Sequence, residues 1–146
     1  MKKQIRTILF VLVVLALCML CGCKKTSNRI LDMRTGQTRE EVIKEMGKDY
    51  SEVESRMYYT HKRLLDFADS TRDTKTVYYL DENDKVYFIA HYMYYDMQRD
   101  FEQAREIISE RYGEGTVLEE GYLEWELPDG KMALSVGSDF VVVGVF

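Results

Sequence analysis

Residues 85–95 read KVYFIAHYMYY. Val86, Phe88, Ala90 and Tyr92 alternate with Tyr87, Ile89, His91 and Met93, so both faces of this stretch are apolar. A strand of that kind sits in the middle of a sheet or is covered on both sides. Immediately before it, Asp81-Glu82-Asn83-Asp84 is a turn, and residues 75–80 are rich in β-branched and aromatic side chains. The two runs predict a hairpin.

Outward from that hairpin, the chain alternates helix and strand signals. Thr38-Arg39-Glu40-Glu41 is a capping box, followed by Val42, Ile43 and Met46 at helical spacing. Gly47 supplies the stop, so residues 38–46 predict a short amphipathic helix. Residues 55–67 predict one long bent strand, with a helical piece over 62–67 as the alternative, and 69–74 a polar turn. Asp100-Phe101-Glu102-Gln103 offers a second capping box. Met97, Phe101, Ala104, Ile108 and Tyr112 share one helical face, and Gly113 ends that helix.

Leu123, Trp125 and Leu127 alternate with polar residues, and Pro128-Asp129-Gly130 is a turn. Met132, Leu134 and Val136 continue on one face, and FVVVGVF at 140–146 is expected to be a central strand. Tyr59 follows Gly47 by twelve residues, and Trp125 follows Gly113 by the same interval. The expectation is an α+β fold, two short helices on one face of an antiparallel sheet, with possible helix-plus-hairpin repeats at 36–95 and 96–146.

The N-terminus states location. Residues 1–23, MKKQIRTILFVLVVLALCMLCGC, open with Lys2, Lys3 and Arg6, continue through an uncharged apolar run, and end in small residues. That is the pattern of an export signal. The run from Thr7 to Cys23 is 17 residues, at the bottom of the roughly 17–25 that a spanning helix needs. The last four residues, Leu20-Cys21-Gly22-Cys23, resemble the lipobox of bacterial lipoproteins. The resemblance implies cleavage between Gly22 and Cys23 and a lipid on Cys23. Residues 1–22 are then a signal peptide, 23–35 a lipidated cysteine with a short tether, and 36–146 one domain. The expected location is the cell membrane or outer membrane, outside the cytoplasm.

Removing the signal's three cations takes the net charge from −5 to −8. An acidic domain is a poor partner for nucleic acid, which needs a basic face. All three cysteines, Cys18, Cys21 and Cys23, lie in the signal, which leaves the domain no disulfide and no cysteine zinc site. His61 and His91, with Asp66 or Asp96, are a metal set only if strands bring them together; two sheet-surface histidines are the expected alternative. The turn at 81–85 begins like a calcium loop but has Lys85 in fifth place and lacks the glycine. No catalytic constellation or phosphate loop is evident, and no cofactor is expected.

Gly36-Gln37-Thr38-Arg39-Glu40-Glu41-Val42-Ile43 with Met46-Gly47 resembles the G-x-T-x-x-x-V…LG signature of SmpA/OmlA-type lipoproteins. It departs in lacking proline after Gly47 and in a long insertion between strands. The resemblance implies helices packed on an antiparallel sheet, as in the fold-related β-lactamase inhibitor protein with its tandem repeats. It also implies binding to envelope proteins rather than catalysis, although a fold does not transfer function. Eleven tyrosines supply candidate contacts, since aromatic rings are enriched at interfaces. Tyr58, Tyr78 and Tyr94, one from each tyrosine pair, are the candidate interface residues. The expected function is a membrane-anchored protein-binding or envelope-assembly module. The alternatives are an inhibitor of a secreted hydrolase and a small glycan-active enzyme.

Overall fold

The structure is a computed structural model, and it describes residues 28–60, 65 and 74–146. Helix α1 spans Arg39–Met46 and α2 spans Met97–Tyr112. Strands follow each helix: β1 (Ser51–Val53), β2 (Arg56–Thr60), β3 (Thr74–Leu80) and β4 (Val86–Met93), then β5 (Thr116–Glu119), β6 (Tyr122–Leu127), β7 (Gly130–Val136) and β8 (Val141–Val145). All eight form one antiparallel sheet in the order β1-β2-β3-β4-β8-β7-β6-β5. Each helix therefore precedes a four-strand meander. The meanders join where β8 pairs with β4, which places the C-terminal strand in the middle of the sheet, as its apolar sequence requires.

Helix α1 begins as its sequence predicts. The Thr38 hydroxyl accepts the Glu41 amide at 3.3 Å, and the Glu41 carboxylate accepts the Thr38 amide at 2.8 Å. Gly47, at φ 94°, closes it. Helix α2 starts earlier than the expected box at Asp100. Its cap is Asp96, which accepts the Arg99 amide at 3.1 Å, while Asp100 reaches back to the Asp96 amide at 3.2 Å. Asp100 is thus spent inside the turn and fully buried.

Of the long bent strand expected over 55–67, residues 56–60 are strand β2, which pairs back on β1 in a hairpin, and 61–67 lie outside the described residues apart from Leu65. Glu54 and Ser55 take φ 49° and 58°, the left-handed pair that a two-residue hairpin turn requires. The helical alternative at 62–67 lies outside the described residues, apart from Leu65, which is buried. Strand β5, also absent from the sequence expectation, is an edge strand with every residue exposed.

One face of the sheet carries the core. Met57, Tyr59, Tyr78, Ile89, Met93, Trp125, Met132, Leu134, Val143 and Val145 pack in one cluster with Val42 and Met46 of α1 and with Ala104 and Ile108 of α2. Burying each large side chain stabilises by roughly 1.5–3 kcal/mol. A short 3-10 turn, Arg29–Asp32, enters the same cluster. Ile30, Leu31 and Met33 are at most 3% exposed, so the part of the expected tether at 28–33 belongs to the folded body. Arg29 pairs with Glu45 of α1, Arg111 of α2 with Asp32, and the Tyr112 hydroxyl donates to the Leu31 carbonyl at 2.7 Å. The turn is a wedge between the two helices.

Candidate binding face

The face of the sheet turned away from the helices has a different chemistry. Strand register lines its side chains into three rows across the strands. One row runs Arg56, Tyr79 and Phe88, then Phe146, whose ring centre is 6.2 Å from that of Phe88. Beyond Tyr58 the middle row is small: Tyr58 opposite Val77, Val77 opposite Ala90, Ala90 opposite Gly144, Gly144 opposite Ala133. The third row runs Lys75, Tyr92, Val142, Ser135 and Tyr122.

The small middle row lets the flanking rings lie down over it. Tyr79 packs against Phe88 at 5.2 Å and against Tyr87 at 6.2 Å. Tyr92 meets Phe140 at 5.3 Å and stacks on Tyr94 at 6.3 Å. Gly144 has no side chain because the Phe88 ring occupies that space: a Cβ there would meet the ring at 3.0 Å. Arg56 sits 5.3 Å from the centre of the Tyr79 ring, and Lys75 sits 4.6 Å from that of Tyr58. Both are cation–π distances. Burial, then the hydrogen bond with Tyr79, pushes the Tyr92 hydroxyl above the usual tyrosine range, and burial pushes Tyr94 the same way. Those rings stay neutral at physiological pH.

The ring layer has an opening. Phe88 and Phe146 on one side, and Tyr122, Ser135 and Val142 on the other, surround a concave socket of about 230 Å³ floored by Ala133 and Gly144. Small-molecule sites run to roughly 300–1,000 Å³. The socket is smaller than that range and is sized for one side chain.

The sequence-predicted residues separate accordingly. Tyr58 lies half-buried on the open face, and Tyr94 lies there at 45% exposure. Tyr78 does not: it is 1% exposed on the covered face, with its hydroxyl against the Met33 sulfur at 3.5 Å. The register pairs Tyr58 with Val77, not with Tyr78, and so puts Tyr79 on the open face instead. Phe88, Tyr122, Phe140 and Phe146 were not foreseen as contacts; the alternation of the hairpin strands marks them once the register is known. Gly22 and Cys23 lie outside the described residues, as do His61 and Asp66.

His91 is a core residue rather than the expected sheet-surface histidine. It is fully buried, its Nδ1 lies 2.9 Å from the Thr76 hydroxyl, and burial lowers its pKa to about 3. Asp96 is occupied as the α2 cap. In the turn at 81–85, Asp81 accepts the amides of Asn83 and Lys85 at 2.8 and 2.9 Å. Among the described residues no three metal-ligating side chains cluster, and no helix there is long and apolar enough to cross a membrane. Comparison with protein-family models, with curated proteins and with solved structures finds no match.

Proposed function

We propose that this chain is a membrane-anchored lipoprotein that acts as a non-catalytic protein-binding or envelope-assembly module, working through the open face of its sheet. The observation that carries the reading is the ring layer itself. Tyr79, Phe88 and Phe146 form one ring cluster and Tyr92, Tyr94 and Phe140 a second, on either side of a small middle row and beside a side-chain-sized socket, the composition of an interface core. Anchoring rests on the lipobox-like Leu20-Cys21-Gly22-Cys23, and a diacylated cysteine holds a domain without a spanning helix. Kinship with SmpA/OmlA-type lipoproteins is part of the same proposal and rests on the Gly36–Gly47 motif.

The two halves are proposed to be copies of one helix-plus-meander unit. Supporting this, Tyr59 donates to the Gly47 carbonyl at 2.9 Å and Trp125 Nε1 donates to the Gly113 carbonyl at 2.9 Å. The same glycine-to-aromatic bond therefore spans twelve residues in each half.

The test is recovery of the lipidated protein from membranes with its cross-linked partner, compared with a Tyr58→Ser, Tyr79→Ser, Tyr94→Ser triple variant. A partner lost only from the folded variant supports the reading; undiminished recovery refutes it. A soluble hydrolase as the recovered partner favours the inhibitor alternative. Processing of Cys23→Ser tests the anchor separately: normal cleavage and membrane retention would remove it.

A further inference from the structure

The open face is polarised, and this says what kind of segment lies on it. Its two cations at the β2–β3 end, Arg56 and Lys75, stack on Tyr79 and Tyr58. Among the described residues neither forms an ion pair. At the opposite end Lys131 is held by Glu124 at 2.6 Å and Glu126 at 3.1 Å, so its charge is already answered. The socket of about 230 Å³ lies between these ends, over Gly144 and Ala133.

We infer that the partner presents an extended segment that crosses the strands of this face, with an apolar side chain in the socket and a carboxylate between Arg56 and Lys75. The inference rests on the proposed binding role of the open face and adds the chemistry of the occupant. The spacing follows from the sheet. Gly144 on β8 is separated from Tyr58 on β2 by β4 and β3, three strand spacings or about 14 Å. Extended chain advances about 3.3–3.4 Å per residue, so the gap is about four residues. Side chains four apart on an extended segment point the same way, so both reach down to the ring layer together. The intervening residues lie over Tyr79, Phe88 and Tyr92, where flat rings tolerate small polar side chains. Near two cations that already rest on tyrosine rings, a carboxylate finds charge of the opposite sign. A lysine at that position meets like charge.

The probe is a fluorescent heptapeptide, Thr-Phe-Thr-Ser-Thr-Asp-Ser, titrated against the full chain in detergent. Companion peptides carry alanine for the phenylalanine or lysine for the aspartate. The expected result is saturable binding of the first peptide and at least tenfold weaker binding of both companions. The double variant Arg56→Glu, Lys75→Glu should invert the preference between aspartate and lysine peptides. Ser135→Tyr, which fills the socket from its half-exposed rim, should weaken the parent peptide about tenfold with melting unchanged. Equal binding of aspartate and lysine peptides, indifference to Ser135→Tyr in a folded variant, or no saturation up to about 1 mM overturns the inference. If that happens while membrane recovery of a partner still depends on Tyr58, Tyr79 and Tyr94, the binding role stands and only this occupant falls. If recovery is also indifferent, both fall.

Discussion

Tyr59 donates its hydroxyl to the carbonyl of Gly47 at 2.9 Å, tying a fully buried ring of β2 to the residue that ends α1. The last carbonyls of a helix have no partner within it, so the bond fixes where α1 stops and how it lies on the sheet. Tyr59→Phe keeps the ring and removes the donor. Chemical denaturation should show a loss of about 1 kcal/mol, the net worth of one such bond, and an unchanged midpoint would dismiss the role.

Trp125 makes the matching bond to Gly113 and imposes a second demand. Gly115 passes directly over the indole: a Cβ there would sit 2.6 Å from Cε2. Gly115→Ala should therefore destabilise by about 1–3 kcal/mol through overpacking. Gly113→Ala provides the contrast, since its cost comes from φ 79° with open space around it. Crystallography of Gly115→Ala should find the indole displaced and its bond to Gly113 lengthened.

The wedge at 28–33 is expected to be part of the fold's stability. Leu31→Ala should cost about 2–5 kcal/mol, as for other buried leucines, and removal of residues 1–33 should lower the melting temperature sharply. A truncated chain that melts like the intact one would show that the helices close without it.

His91 should make the domain acid-sensitive. Its pKa falls from 6.5 to about 3 because burial disfavours the charged ring. The unfolded state therefore takes the proton first. The stability held by neutral His91 is fully present above about pH 6.5 and is lost as pH falls toward 3, by up to about 1.4 kcal/mol per pH unit. Urea midpoints measured between pH 7 and pH 4 should fall more steeply for the parent chain than for His91→Gln. Parallel slopes would assign the acid sensitivity elsewhere.

Deleting residues 140–146 should abolish folding, because the β8–β4 pairing joins the two meanders in the sheet order of the described residues. A cooperative melt in the truncated chain would contradict that.

Local chemistry made much of this fold legible. Thr38 with Glu41, Gly47, Gly113 and the Pro128-Asp129-Gly130 turn each act within a few residues, and each appears where its sequence places it. The double-sided apolar pattern of 140–146 and 85–95 marked both central strands. Strands β1 and β5 were illegible because their residues are all exposed, which leaves no alternation to detect. The candidate face was half legible. A tyrosine pair guarantees one ring per face, but which ring depends on how β2 pairs with β3, a contact between strands that local alternation does not fix. Tyr78 went inward and Tyr79 outward for that reason. The burial of His91 follows from its place opposite Thr76 and Val143 near the middle of the sheet, a non-local fact.

The docking of Ile30, Leu31 and Met33 between the helices has a consequence for orientation. With Cys23 acylated as proposed, only five residue steps separate the lipid from Asn28, a leash of at most about 18 Å. Asn28, its described end, leads into the turn between the helices, so a leash that short would leave the molecule little freedom to swing. With that anchor in place the leash would keep the helices toward the bilayer and turn the aromatic surface outward, where the proposed partner would approach from the aqueous side.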